Sequence, residues 1–207
     1  MNVADLKVGL HQKLGSLFEE KDFKHRKADF EYIKKKNGFV YIFRIYIHSK
    51  TDWFLVEPSV FIGVPKINKQ FNEILGRNIQ VNGSTFGFGI RNKTNNDRGG
   101  YHVDSVDDIE TVAESIWSDF IDLALPFFTQ NNSYENIDLY LNGKEKSESV
   151  SNACLSLVAA NLVKNPNISQ LADSYFSFWS KAQSPELAKD ISFVKSVILG
   201  GADAIKA

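Results

Sequence analysis

The chain has 207 residues, of which 43% are hydrophobic and 24% are charged, and both fractions are ordinary for a folded protein in water. The aromatic fraction of 13%, with 16 Phe, indicates an aromatic-rich core and argues against long disordered stretches. The 24 Lys and Arg almost balance the 25 Asp and Glu, which argues against general affinity for nucleic acid or for an anionic membrane.

Cysteine content and hydropathy indicate a cytoplasmic protein. The single cysteine, Cys154, excludes a disulfide within the chain and fits a reducing compartment. Residues 1–18 carry polar side chains throughout their apolar pattern, so they lack the uninterrupted apolar region of a signal peptide. No apolar run reaches the ~20 residues that a membrane-spanning helix needs. We therefore expect no membrane partner.

The first predicted elements are a helix and two strands. Leucines at helical spacing predict an amphipathic helix over residues 3–20, and alternation predicts a strand over residues 29–34. Asn37-Gly38 predicts a type I′ hairpin turn, because that turn needs positive φ at both central residues. Residues 39–48 form the clearest strand, and one of its faces is wholly apolar and must point to the core. The other face carries Arg44, Tyr46 and His48.

Residues 53–63 are predicted as a second long strand, antiparallel to the one before it because only a short turn joins them. Pro58 removes one backbone donor, which predicts either an edge strand or a bulge at this position. A short helix ended by a glycine is predicted over residues 67–76. Residues 79–90, with Asn82-Gly83 as the turn, are predicted as a second hairpin.

Helices dominate the rest of the chain. Ser105 begins a Ser-x-x-Asp pattern that predicts the start of an acidic helix, and Pro126 should kink or interrupt its end. Strand signals stop after residue 131, and short loops predict antiparallel helical hairpins. These helices are predicted over residues 134–141, 149–164, 168–182 and 185–199.

Together the elements predict an α+β fold, with an antiparallel sheet of four to five strands and helices packed on one face, followed by an all-helical C-terminal segment. The change of composition near residue 131 predicts two parts. They are an α+β domain over residues 1–130 and a helical C-terminal extension over residues 131–207, docked on the first.

Three segments carry a resemblance to a known family: LGSLFEEKDFKHR, FVYIFRIYIHSKTDWFLVEPSVFIGV and IWSDFIDLALPFF. With the order of elements over residues 1–128, they resemble the bacterial domain-of-unknown-function (DUF) family numbered 4304. His48 stands where that family's pattern has a glutamine, and Pro58 where it has a small polar residue. The family has no established activity, so the resemblance implies an architecture and a bacterial origin but no catalytic residues.

The sequence holds no motif for a resident metal or nucleotide. Its four histidines lie on separate elements without zinc-ligand spacing, and one cysteine cannot form a thiolate site. Residues 87–92 lack the third glycine of a dinucleotide fingerprint, and their antiparallel context is wrong for it. We therefore predict no cofactor and no metal site.

Charge is segregated along the chain. Residues 21–36 hold seven Lys or Arg against three acids, whereas residues 104–128 hold seven acids and no Lys or Arg. These two regions could face each other, or each could face a partner. Acidic residues spread evenly along a helix are more typical of a solvated face than of a metal site.

Two polar clusters are candidate sites. The first is the strand face with Arg44, Tyr46 and His48, which is a binding face if helices leave it uncovered; His48 could also act as a base beside Asp52. The second is the segment 91–104, whose asparagines and glycines also fit a plain connector. In this segment Arg91 and Arg98 are candidate binding residues, and Asp97, His102 and Asp104, with His48, are candidate catalytic residues.

The sequence therefore favours a non-enzymatic protein-binding module of the immunity-protein or adaptor type. The alternative is a metal-assisted hydrolase or nuclease that uses residues 91–104. A small-ligand carrier that uses the sheet face around Arg44 and Tyr46 is a third possibility.

Overall fold

The computed structural model describes residues 1–90, 100–143, 150–181 and 185–200. The chain forms two compact units. The first consists of Met1–Gly63 and Phe86–Thr129, and the second of Val64–Thr85 and Gln130–Ala207. The chain thus enters the second unit twice, at Val64 and at Gln130. The predicted change from sheet to helical sequence near residue 131 coincides with the second entry.

The described part of the first unit is built on a six-stranded antiparallel sheet, which confirms the α+β class. Its strands are β1 (Lys24–Arg26), β2 (Glu31–Lys36), β3 (Phe39–Ser49), β4 (Phe54–Gly63), β5 (Phe86–Gly89) and β6 (Tyr101–Val103). The order is β1-β2-β3-β4, and both β5 and β6 pair with β4. The predicted hairpin turn is confirmed, since Asn37 and Gly38 have φ angles of 52° and 82°.

Helices cover one face of this sheet, here called the inner face. They are α1 (Val3–Glu19), α3 (Asp108–Asp119), a π-helix (Phe120–Ala124) and α4 (Leu125–Gln130). Aromatic rings fill the space between the two layers: Phe18 of α1 stacks on Tyr32 at 3.8 Å between centroids, and Phe120 meets Phe43 edge-on at 5.4 Å. All four of these side chains are buried, so the aromatic core predicted from composition lies here.

The π-helix accounts for the predicted interruption at Pro126. A proline has no N–H for the helical ladder, and its ring clashes with the carbonyl four residues earlier. Here the N–H of Leu125 bonds to the carbonyl of Phe120, five residues back, so the turn before the proline is wider than an α-turn.

Strand β4 is not the edge strand that Pro58 suggested. It pairs with β3 on one side, and with β5 and β6 on the other at residues 59–62 and 54–56. Opposite Pro58, the N–H of Ile45 donates to Phe30 at 3.1 Å, away from β4. In an antiparallel pair this directs the proline nitrogen away from β3 and into the gap between β5 and β6, where no ladder bond is needed.

The second predicted hairpin is wrong, because only residues 86–89 of that segment form a strand. Side chains of α2 (Pro65–Leu75) instead form hydrogen bonds with the backbone of the loop that follows this helix and precedes the strand. Asn72 bonds both the N–H and the carbonyl of Ile79, at 2.9 and 2.8 Å. The buried amide of Asn68 donates to three further loop carbonyls. A loop whose backbone groups are bonded in this way needs no partner strand.

Helix α3 also begins later than predicted, at Asp108 rather than at Ser105. Both sides of the Ser-x-x-Asp pattern nevertheless form hydrogen bonds: the hydroxyl oxygen of Ser105 accepts the N–H of Asp107 at 3.2 Å, and the carboxylate of Asp108 accepts the backbone N–H groups of Ser105 and Asp104, at 2.7 and 2.9 Å. The two hydrogen bonds to the carboxylate lower the pKa of Asp108, since they favour its charged form.

The predicted helices of the second unit are confirmed as α5 (Tyr134–Asn142), α6 (Val150–Leu162), α7 (Ile168–Lys181) and α8 (Pro185–Gly200). A buried polar network links α5 and α7. The carboxylate of Asp138 accepts the side-chain amides of Asn142 and Asn165 at 2.5 and 2.7 Å, and Tyr175 donates to Asn142 at 2.7 Å. Among the described residues, no helix has the length and apolar character to cross a bilayer.

Leu10→Ala should lower the free energy of unfolding by roughly 2–5 kcal/mol, because Leu10 lies fully buried on α1 and its truncation leaves a cavity. Val8→Ala on the same helix is the matched control. Val8 is 57% exposed, so this change should stay within about 0.5 kcal/mol. Urea unfolding followed by tryptophan fluorescence measures both, and equal losses would contradict the assignment of the buried face of α1.

Candidate binding face of the sheet

Alternate strand residues point away from α1 and α3 and form the second face of the sheet, here called the outer face. Arg26, Glu31 and Arg44 lie opposite one another on β1, β2 and β3. Two residues further along β3, Tyr46 lies opposite Glu57 of β4. At the other end of β3, Val40 and Ile42 are buried. The polar part of the outer face therefore begins at Arg44.

Glu31 is the buried anchor of this face. Its side chain is fully buried and forms an ion pair with Arg44, while its second oxygen lies 2.5 Å from Nη2 of Arg26. The half-exposed Asp29 also contacts Arg26, at 3.0 Å. A buried carboxylate is strongly destabilising unless it is paired. The two guanidinium groups supply that pairing, Arg44 through a hydrogen bond and an ion pair to one oxygen and Arg26 through an ion pair to the other, and these contacts join β1 and β3 to β2.

The same contacts fix the orientation of Arg44. Its guanidinium donates to the hydroxyl of Tyr46 at 2.8 Å and lies 5.4 Å from the centre of the Phe61 ring. Partial burial alone would lower the pKa of Arg44, but hydrogen bonds to Tyr46 and Glu31 outweigh it, so the pKa is raised. Arg44 is thus a permanent and preorganised positive charge.

His48 and Glu57 form the next contact on the outer face. The Nε2 atom of His48 lies 2.7 Å from Oε2 of Glu57, and the ring of His48 stacks loosely with Tyr46 at 6.4 Å. Tyr46 is 37% exposed, and about half of the His48 side chain is exposed. The three strand residues predicted as a binding face therefore lie side by side and reach solvent.

A second aromatic contact lies at the edge formed by β6. The rings of Trp53 and His102 are 3.7 Å apart, and Nδ1 of His102 lies 3.6 Å from the carboxylate of Asp104. Leu55 pairs with His48 on one side and with His102 on the other. The two histidine backbones are therefore about 10 Å apart, twice the spacing of neighbouring strands.

The candidate catalytic residues are thus only partly brought together. His102 and Asp104 are neighbours, whereas His48 pairs with Glu57 and is separated from His102 by strand β4. Asp97, Arg91 and Arg98 lie outside the described residues. Within the described ranges, no group of three His, Cys, Asp or Glu side chains could hold a metal ion.

Sequence reasoning missed Glu31, Glu57 and Trp53. Glu31 and Glu57 belong to the outer face through the register of β2 and β4 with β3, and Trp53 lies just before β4 with its ring against His102. The sequence did contain one feature that could have identified Glu31: it alternates with the buried Tyr32 and carries a charge opposite to that of Arg44.

Comparison with known proteins adds no relative: the chain matches no family model, no curated protein and no solved structure. The resemblance to the DUF family numbered 4304 therefore stays a prediction.

Glu31→Gln should lower the free energy of unfolding by about 2 kcal/mol, because the arginines on both sides lose a charged acceptor while the amide stays buried. Asp29→Asn removes the exposed carboxylate that also contacts Arg26, so this control should cost no more than about 1 kcal/mol. Urea titration at pH 7 gives both values. An equal cost for the two changes would show that Glu31 is no anchor.

Proposed function

We propose that this chain is a non-enzymatic protein-binding module, of the immunity-protein or adaptor type, that recognises its partner through the outer face of the sheet. The observation that carries the proposal is the exposed Tyr46 beside the fixed charge of Arg44. Trp53 extends the aromatic surface across β4 towards β6. Tyr, Trp and Arg are the residue types that contribute most to binding at protein interfaces.

The hydrogen bonds of Arg44 also indicate what the partner offers. Its contacts with Glu31 and Tyr46 use Nε, Nη2 and Nη1, which accounts for three of its five N–H groups. The remaining groups can donate to a carbonyl or a carboxylate of the partner. Because Arg44 is already held in place, binding costs little side-chain entropy. The expected partner surface therefore has an apolar centre next to a hydrogen-bond acceptor.

The arrangement supports binding better than catalysis. Each histidine on this face already faces a carboxylate of its own, His48 with Glu57 and His102 with Asp104. Strand β4 separates the two histidines, whose backbones are about 10 Å apart, and this spacing disfavours joint action of the two imidazoles on one bound group. We also propose a bacterial, cytosolic setting, which the family resemblance and the single cysteine support. Cys154 is buried, and burial raises the pKa of its thiol to about 12, so the thiol stays protonated and unreactive.

Photo-crosslinking tests the proposed face directly. A benzophenone-bearing phenylalanine analogue at position 46 should trap one protein at one-to-one stoichiometry from the native cytosol. The same analogue at position 193 is the exposure-matched control, because Phe193 is a natural aromatic residue that is 44% exposed on α8. Trapping of the same proteins at both positions would count against a specific outer-face partner.

Tyr46→Ala should weaken binding of the trapped protein roughly 30-fold, the loss expected for one central aromatic residue of an interface. Phe193→Ala should leave the affinity unchanged. Isothermal titration calorimetry with the purified partner measures both. If Tyr46→Ala and a Trp53→Ala variant both bind like the wild type, the outer face is not the binding site.

A further inference from the structure

A pair of histidines on the inner side of the sheet joins helix α1 to the edge strand β1. The rings of His11 and His25 are stacked with centroids 3.9 Å apart and planes at 26°. Nδ1 of His11 lies 3.1 Å from the hydroxyl of Tyr32, which neighbours His25 across the β1–β2 pair. Burial, with Glu19 nearby, raises the pKa of Tyr32, so its hydroxyl keeps a proton that it can donate to His11.

Two local features accompany this stack. Gly15 lies in the middle of α1, where glycine is a poor helix former. A Cβ at this position would lie 2.9 Å from Cε1 of His11, so glycine provides room for the ring. Phe30 has a φ of 48°, which is unfavourable for an aromatic residue, and its buried ring meets His25 edge-on at 5.5 Å.

We propose that His11 and His25 form a proton-sensitive clasp between α1 and β1, closed while both imidazoles are neutral and released when His25 takes a proton. Strand β1 has three residues, and it pairs with β2 alone among the described strands. On its outer side the strand is held by the ion pair of Arg26 with Glu31, and on its inner side the histidine stack joins it to α1. Weakening the stack therefore acts on β1 before it acts on the long β3–β4 pair.

The surroundings of His25 disfavour its charged form. Its Nε2 is buried and has no hydrogen-bond partner among the described residues, so a proton there would be left unsolvated. The charged and titratable groups around the pair are Lys7, His11 and Glu19 of α1, Tyr32 of β2, and Asp22, Lys24 and Lys27 on and beside β1. Burial, followed by His11, Lys27 and Lys7, lowers the pKa of His25 to about 4.

An open pocket of about 580 Å³ lies beside the pair. Both histidines line it, together with Glu19, Asp22 and the two neighbouring lysines. The carboxylate of Asp22 is already paired with Lys34 at 3.0 Å, which limits its ability to stabilise a histidinium. The imidazoles of the clasp are therefore accessible to protons, but the neighbouring groups do not stabilise a charged imidazole.

The direction of the pH dependence follows from linkage. His25 titrates near 6.5 in the unfolded chain and near 4 in the folded chain, so the unfolded chain binds more protons between these values. The stability that the neutral ring contributes is complete above pH 6.5 and is lost as the pH falls towards 4. The unfolding equilibrium constant should rise by up to about tenfold per pH unit across this window.

Urea unfolding between pH 4 and 7.5 tests the clasp with the full chain. His25→Phe keeps a flat ring but removes the proton site, and it should flatten the dependence between pH 6.5 and 4. His102→Phe, at an exposed histidine, is the matched control and should keep the wild-type slope. Parallel curves for the wild type and His25→Phe would overturn the proposal. If His25→Phe does not fold, imidazole NMR of the wild-type protein, which needs no variant, tests the same proton site.

Imidazole NMR gives a second and independent measurement on the wild-type protein. The ring of His25 should titrate near pH 4, and the amide signals of residues 24–26 should change with it while those of β3 and β4 stay constant. Titration of His25 near pH 6.5, or protonation that leaves the β1 amides unchanged, would show that the histidines do not hold the strand.

Discussion

The buried carboxylate of Glu31 is the constraint on which the sheet edge and the outer face depend. It lies on β2 with Arg26 beside it on β1 and Arg44 on β3, so a single charge fixes three strands in register. A slip of β2 by one residue would turn this carboxylate towards the aromatic core and leave both arginines without their acceptor. The same contact orients Arg44, so the preorganised charge of the candidate binding face depends on a residue that is itself hidden from solvent.

Much of the segregated charge in the sequence serves local structure. In the basic region, Arg26 pairs with Glu31 and Lys34 with Asp22, so part of its positive charge is neutralised within the region. In the acidic region, Asp108 binds backbone N–H groups of the turn before α3. Asp119 accepts the hydroxyl of Tyr101, and burial raises the pKa of that carboxyl group. A count of charges along the chain therefore overstates the charge that is available to a partner.

The sequence predicts best the features that are set locally. The alternation in β3, the Asn37-Gly38 turn and the break before Pro126 depend on neighbouring residues, and all three appear in the structure. The loop before β5 was wrongly predicted as a hairpin, because the side-chain amides of α2 that bond its backbone, 7 and 15 residues away, leave no periodic pattern in the loop sequence. For the outer face, the residues of β3 were found from alternation, but their partners Glu31 and Glu57 depend on register, which the pattern of one strand does not specify.

The three residues of β1 belong to both faces of the sheet. Because successive side chains of a strand point to opposite sides, Arg26 pairs with Glu31 on the outer face, whereas His25, the preceding residue, lies against helix α1 on the inner face. The peptide bond between these two residues thus links the aromatic interior to the polar surface. A rotation of β1 about its own axis would withdraw the arginine from one layer and the imidazole from the other in the same motion, so one of the two three-residue strands of the sheet would couple its two faces.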